Sequence, residues 1–170
     1  MIFVTIGTQV PFDRMIEAVD TVAPLLKGEE IIVQSLATQY KAKNFQTLEY
    51  IAPADFKNYI ERANLIISHA GTGTILSVSQ LQKPMIVFPR YGKLKETRND
   101  HQVATCRMLE KVTKLQVAYD VEQLREKIVL YMKGTLPVMD KMSAYASDSL
   151  LGSIRYFIEP AKNITTASFV

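Results

Sequence analysis

The chain has 170 residues, 48% of them apolar, with a net charge of +3 and a single cysteine. That length suits one domain with a buried core and is short for two, and without repeats or low-complexity tracts only the last stretch, 161–170, reads as a loose tail. Cys106 has no intrachain disulfide partner, no His/Cys cluster has metal-ligand spacing and no apolar run reaches the ~18 residues of a bilayer span, so the sequence reads as soluble, unsecreted and suited to a reducing cytoplasm.

"MIFVTI" is a β-rich run ended by Gly7, and the segment after Asp13 places Ile16, Val19, Val22 and Leu26 on one helical face. "EIIVQS" reads as a second strand and "TLEYI" as a third, with the polar stretch "LATQYKAKN" between them. Pro53 and Asp55 open a short helix with Phe56, Tyr59 and Ile60 inward, closing at Ala63 and Asn64. Next come "NLIIS" as a strand, "HAGTGT" as a glycine turn, "ILSVSQLQ" as a helix and "PMIVF" as another strand. Val/Ile runs without alternation are those of strands buried on both faces, as in parallel sheets. After a basic loop, "NDHQVATCRMLEK" reads as a helix and "LQVAY" as a weaker strand. Asp120 with Gln123 starts a helix striped by Val121, Leu124, Ile128 and Met132 and closed by Gly134. A last helix over 138–157 lines up Met139, Met142, Ala146, Leu150, Ile154 and Phe157, and Pro160 stops it. The alternation predicts a single doubly wound α/β domain over 1–160 with a mainly parallel sheet, whose ligand belongs at the loops after Ile6, Ser68 and Phe88.

Those loops carry the polar chemistry. In "SHAGTGT" the glycines allow close backbone approach, and the following helix offers unpaired N–H groups and a partial positive end, which suits a diphosphate. The plain alternative is a tight turn in which Thr72 or Thr74 caps the helix. His69 stands at the strand end, either as a satisfied structural side chain or as a donor to an anion that also orients the turn. In "PRYGKLKETRNDHQ", Arg90, Lys93, Lys95 and Arg98 precede a helix that Asn99 or Asp100 can cap; two of these cations would neutralise a diphosphate, and Gln102 offers a donor and an acceptor for sugar hydroxyls. An exposed, mobile lysine-rich loop is the alternative. The window from Lys83 to Lys114 carries eight Lys/Arg against three acids, a local excess of +5, suited to phosphates, nucleic acid or an anionic membrane surface. Its only aromatics are Phe88 and Tyr91, few for a nucleic-acid surface. There is no Asp-x-Asp pair for a divalent ion, no G-x-S-x-G elbow, and no evident base beside Cys106.

"VTIGTQVPFDRMI", "ANLIISHAGTGTIL", "KPMIVFPR" and "NDHQ" together resemble the carboxyl-terminal donor domain of family 28 glycosyltransferases over residues 1 to about 130. Within that family the chain is similar to the small catalytic subunit of two-subunit enzymes: the eukaryotic one that adds the second N-acetylglucosamine to a dolichol-linked sugar, and bacterial capsule and exopolysaccharide relatives, toward which "PR" followed by "NDHQ" leans. The resemblance implies a Rossmann-like GT-B half-enzyme that binds a UDP-sugar without a metal. It would work by inversion on a lipid-linked acceptor with a separate membrane-anchored subunit, at the cytoplasmic membrane face, and not on nucleic acid. It places Gly7 and Thr8 near the donor phosphates, His69, Gly71, Thr72, Gly73 and Thr74 around the diphosphate or sugar, Arg90 in the basic loop, and His101 and Gln102 at the donor sugar. The general base is not evident in the chain, and the resemblance leaves it to the partner.

Two positions depart from that pattern. Ser77 stands where the family usually has a glutamate that grips the ribose hydroxyls, and serine cannot make the bidentate, charge-assisted bond. Gln82 stands where glycine is common. Ser77 therefore keeps a second reading open, a nucleotide-binding or scaffold subunit without turnover, and the basic window keeps a third, a nucleic-acid-binding domain.

Overall fold

Six short strands, β1 (Ile2–Thr5), β2 (Ile31–Gln34), β3 (Thr47–Leu48), β4 (Leu65–Ser68), β5 (Met85–Val87) and β6 (Gln116–Val117), form one sheet in the order β3-β2-β1-β4-β5-β6. Every pairing is parallel. This is a doubly wound, Rossmann-like arrangement, as the alternation predicts, and the strand order reverses beside β1. The computed structural model describes residues 1–26, 28–143 and 145–158; the expected tail at 161–170 and the stop at Pro160 lie outside them. The register aligns Thr5 with both Gln34 and Ser68, so one row of polar side chains marks the carboxyl edge of the three central strands.

The unalternating apolar runs have a simple cause. Ile2, Val4 and Ile6 join Ile67 and Ile86 beneath α1 (Asp13–Val22) and α5 (Val121–Met132). Phe3, Ile66 and Val87 point the other way, toward α2 (Pro53–Arg62), α3 (Thr72–Leu81) and α4 (His101–Val112). Both faces are covered, so both need apolar side chains. Phe3 anchors the second layer, stacked on Tyr59 at 5.3 Å between centroids and edge-on to Phe56 at 5.5 Å.

Local signals act largely as their chemistry predicts. Asp120 caps α5 by accepting from the Gln123 N–H at 2.8 Å. At the other end, Gly134 has φ +69°, and the N–H groups of Gly134 and Thr135 return to the carbonyls of Tyr131 and Leu130, a Schellman closure that glycine makes without strain. Met132, expected on the inner stripe, lies half in solvent on the last turn, while Leu124 and Ile128 carry the contact. The polar stretch after β2 is folded onto Asp20, whose buried carboxylate accepts from the Lys43 and Asn44 amides and the Tyr40 hydroxyl. Burial alone would raise this carboxyl's pKa, but those donors together hold it below the usual range.

The last helix is a correction. Instead of one helix over 138–157, an extended strap runs past Met139 and Met142, and α6 begins only at Asp148 and reaches Ile158. Met139 is buried in the second core layer, with Met142 packed beside it. Side-chain amides at the end of α3 capture the strap: Gln82, its C-cap, donates to the Met139 carbonyl at 3.1 Å and Gln80 to that of Met142. Those bonds require strap carbonyls that a helix would have consumed internally. The Ser147 hydroxyl then accepts from the Leu150 N–H, starting α6 where the strap ends. No residue of α6 is buried, so the part of the predicted stripe from Leu150 onward faces solvent. Among the described residues, no helix is long and apolar enough to cross a membrane.

Candidate functional site

A cleft of about 850 Å³ opens over the carboxyl edge at β1 and β4. It is lined by the loops after β1, β4 and β5 and by the start of α4, and it includes Gly7, Thr8, His69, Gly71, Thr72, Gly73, Thr74, Arg90, His101 and Gln102. The three expected loops therefore meet. Ser77 is not on this wall; it is exposed on the next turn of α3, with its hydroxyl donating to the Gly73 carbonyl at 2.9 Å.

The glycines do two different jobs, only one of which was expected. A Cβ on Gly7 would lie 2.7 Å from the His69 ring, and one on Gly71 would lie 2.5 Å from its Nε2. Gly7 and Gly71 thus form a slot for the imidazole. Gly7 also holds φ +83°, a conformation that side chains disfavour, and its carbonyl accepts from the buried Gln34 amide at 3.0 Å. Gln34 in turn accepts from the Thr5 hydroxyl, so β2 fixes the turn that follows β1. Gly73 is different: nothing lies within 4 Å of a Cβ built there.

His69 sits at the floor between these turns. Burial, reinforced by the positive Arg90 nearby, lowers its pKa from 6.5 to about 4. The ring is therefore neutral at physiological pH and gives the site no fixed positive charge. Its Nδ1 is buried with no partner among the described residues, an arrangement that costs stability.

Helix α3 starts earlier than the sequence reading, at Thr72, with Gly71 as its N-cap and, among the described residues, no side chain accepting from its first turn. The threonine-capped turn is thereby excluded. Gly71 donates to the His69 carbonyl and Ile75 to that of Gly71. The amides of Thr72, Gly73 and Thr74 lie between those two at the cleft wall, at the positive end of the helix dipole, which is the physical basis of an anion cradle.

The basic loop is ordered by ion pairing. Arg14 grips Glu96 with Nε to Oε1 at 2.6 Å and Nη2 to Oε2 at 2.9 Å, and the guanidinium lies 4.5 Å from the Phe88 ring centroid. Glu96 also accepts from the Tyr91 N–H, and Asp100 accepts from the Gly92 N–H. The mobile-loop alternative fails on these bonds. Arg90, expected at the donor, lies on the cleft wall and also acts as a clamp. Its two terminal nitrogens donate to four carbonyls, those of Ile6, Val10, Pro11 and Glu96, at 2.7 to 3.2 Å. It is buried, which lowers its pKa to about 10 and leaves it charged. Lys93 and Lys95 are not on the wall; Arg98 is, exposed at the rim.

His101 and Gln102 open α4 at the cleft. Gln102 is buried, and its Oε1 accepts from the Arg90 N–H at 3.1 Å, which turns the amide nitrogen outward from that bond. The His101 Nδ1 meets Asn99 Oδ1 at 2.7 Å, leaving Nε2 to the solvent side. Cys106 is fully buried, which pushes its thiol up to about 12, so it is no nucleophile. Arg14, Gln34 and Glu96 shape the site yet carry no local sequence signal, because each acts on a partner 27 to 82 residues away.

The glycosyltransferase family 28 C-terminal domain matches residues 1–151. A UDP-N-acetylglucosamine transferase subunit, ALG13, of Candida albicans is 30% identical over 89 residues, 52% of this chain and 29% of that protein. The human subunit of the same name is 29% identical over 120 residues, 65% of this chain and 10% of that protein. The chain thus matches less than a third of either relative's length. The solution structure of ALG13 superposes with a TM-score of 0.54 at 17% identity, covering 90% of this chain and 93% of that one.

Proposed function

The chain belongs to the glycosyltransferase family 28 C-terminal domain family, and from that premise we propose that it is the donor-binding catalytic subunit of an inverting transferase that moves a sugar from UDP to a lipid-linked acceptor. The observation that carries this reading is the uncapped start of α3 facing a cleft at the sheet's switch point. The donor diphosphate lies against the amides of Thr72, Gly73 and Thr74, with Arg98 at the rim, and charge building on departing UDP is stabilised there without a metal. Gln102 reaches the sugar through its free amide nitrogen, and the neutral His69 serves as a hydrogen-bonding floor.

The base that deprotonates the acceptor comes from the partner. Among the described lining residues Glu96 is the carboxylate, and it is spent on Arg14. The partner is a membrane-anchored acceptor-binding subunit, and the chain works at the cytoplasmic membrane face in exopolysaccharide or glycolipid synthesis.

Titrating UDP calorimetrically, then assaying UDP release from a panel of UDP-sugars with and without the co-expressed partner subunit and lipid acceptor, tests the proposal. Binding followed by partner-dependent release supports it. One observation favours a second reading, a nucleotide-binding scaffold without turnover: the Ser77 hydroxyl is turned into its own helix and does not reach the cleft wall. Binding without release under every combination selects that reading.

A further inference from the structure

Within the basic window the charges fall into two groups once the chain is folded. Arg90 is buried beneath the cleft and Lys83 donates to the Glu61 and Ala63 carbonyls at the end of α2. Lys93, Lys95, Arg107 and Lys111 are exposed. Lys93 lies 5.2 Å from the Tyr91 ring centroid, and the short helix at Gly92–Leu94 abuts the start of α4, where the Gly92 N–H donates to Asp100 at 2.7 Å and a Cβ on Gly92 would lie 2.9 Å from the Asn99 backbone. Of the window's three acids, Glu96 is neutralised by Arg14, whereas Asp100 and Glu110 accept from the Gly92 N–H and from the Tyr119 hydroxyl at 2.6 Å and keep their charge, which the exposed Lys93, Lys95, Arg98, Arg107 and Lys111 outnumber.

Three large apolar side chains stand among these cations. Leu94 is 51% exposed, Met108 57% and Val112 68%. Met108 and Val112 are one turn apart on α4, beside Arg107 and Lys111, and the buried side of the helix is Gln102, Val103, Cys106 and Leu109. Cations flanking exposed aliphatic groups on a helix are the chemistry of an anionic lipid surface, where the charges meet headgroup phosphates and the aliphatic groups enter the acyl boundary. A nucleic-acid surface would offer stacking aromatics instead; here Phe88 is buried under Arg14 and Tyr91 is half-buried, with its hydroxyl directed at the Tyr119 carbonyl.

We propose that the outer face of α4 with Lys93, Leu94 and Lys95 is a docking surface for an anionic lipid bilayer, contacted by this chain directly. The same helix begins in the cleft at His101 and Gln102, so docking would bring the cleft mouth close to the bilayer. That consequence rests on the lipid-linked acceptor of the proposed function, whereas the docking itself does not.

Co-sedimentation of the full chain with vesicles of phosphatidylcholine alone, and of phosphatidylcholine mixed with phosphatidylglycerol, tests it. We expect binding to the mixed vesicles only, weakening with added salt. Arg107→Gln combined with Lys111→Gln lowers that partitioning about thirtyfold, as removal of two surface cations implies. Met108→Ser with Val112→Ser also lowers it, and UDP titrations of both variants match the parent, since none of the four residues lines the cleft. Equal binding to both vesicle types overturns the proposal. So does a loss caused by Leu150→Ser with Ile154→Ser on α6 but not by the α4 variants, or binding to an oligonucleotide duplex with none to the mixed vesicles. UDP binding is read separately, so failure here leaves the donor-site reading standing.

Discussion

Gly71 faces the His69 ring so closely that a methyl group in place of its hydrogen would lie 2.5 Å from Nε2. The contact is steric and not conformational, because Gly71 has an ordinary φ of −79°. Gly71→Ala is therefore expected to destabilise the fold by about 1–3 kcal/mol, the usual cost of overfilling a packed position. His69→Ala should relieve that cost, so the double variant is less destabilised than the sum of the two single ones. Urea unfolding of the four proteins measures it, and strict additivity would place the ring elsewhere.

Gly73 makes the opposite prediction. Its Cβ position is open, so Gly73→Ala is tolerated by the fold and, on a helix, is at least neutral for stability. Gly73→Val occupies the same space more fully. We expect both to retain or raise the melting temperature while UDP affinity falls, with Val worse than Ala. Unchanged affinity in the Val variant would move the diphosphate away from the α3 amides.

Arg90→Ala removes a charged fork from four backbone carbonyls and is expected to cost roughly 3 kcal/mol or more in denaturant unfolding. Arg90→Lys should rescue little of this, since an ammonium cannot span carbonyls arranged for a planar guanidinium. Full rescue by lysine would show that the charge, and not the fork, holds the loops together.

The His69 imidazole gives stability a defined pH dependence. Its folded pKa of about 4 lies below the 6.5 of an ordinary histidine, so between those values the unfolded chain takes up a proton that the folded chain refuses. The contribution is full above pH 6.5 and is lost progressively as the pH falls toward 4, amounting to about 3 kcal/mol. Melting curves across that range should flatten in a His69→Asn variant relative to the parent. Parallel curves would show that carboxylates elsewhere, not His69, set the acid limit.

How much of this was written locally in the chain differs by element. The strands and the meeting of the three loops follow from short apolar runs and glycine punctuation, and the Asp120 cap follows from its own spacing. The strap was hidden because Met139 and Met142, three apart, suit one face of a helix as well as an extended segment pressed on a core; Gln80 and Gln82, about 60 residues earlier, decide between them. Arg90 reads as a free cation in any window that omits the carbonyls of Ile6, Val10 and Pro11. The glycines at 7 and 71 read as room for a ligand, because nothing adjacent in sequence says that an imidazole fills it.

Gln82 adopts φ +51°, the left-handed conformation that glycine takes without strain. A side chain is kept there nonetheless, and it is the one that ties down Met139. Helix α3 is ten residues long, a strut of about 15 Å, with the cleft-facing amides of Thr72, Gly73 and Thr74 at one end and the moorings of the strap at the other. Anything that seizes the exposed helix α6 therefore hauls on a cable fastened to the far end of the beam whose first turn faces the cleft.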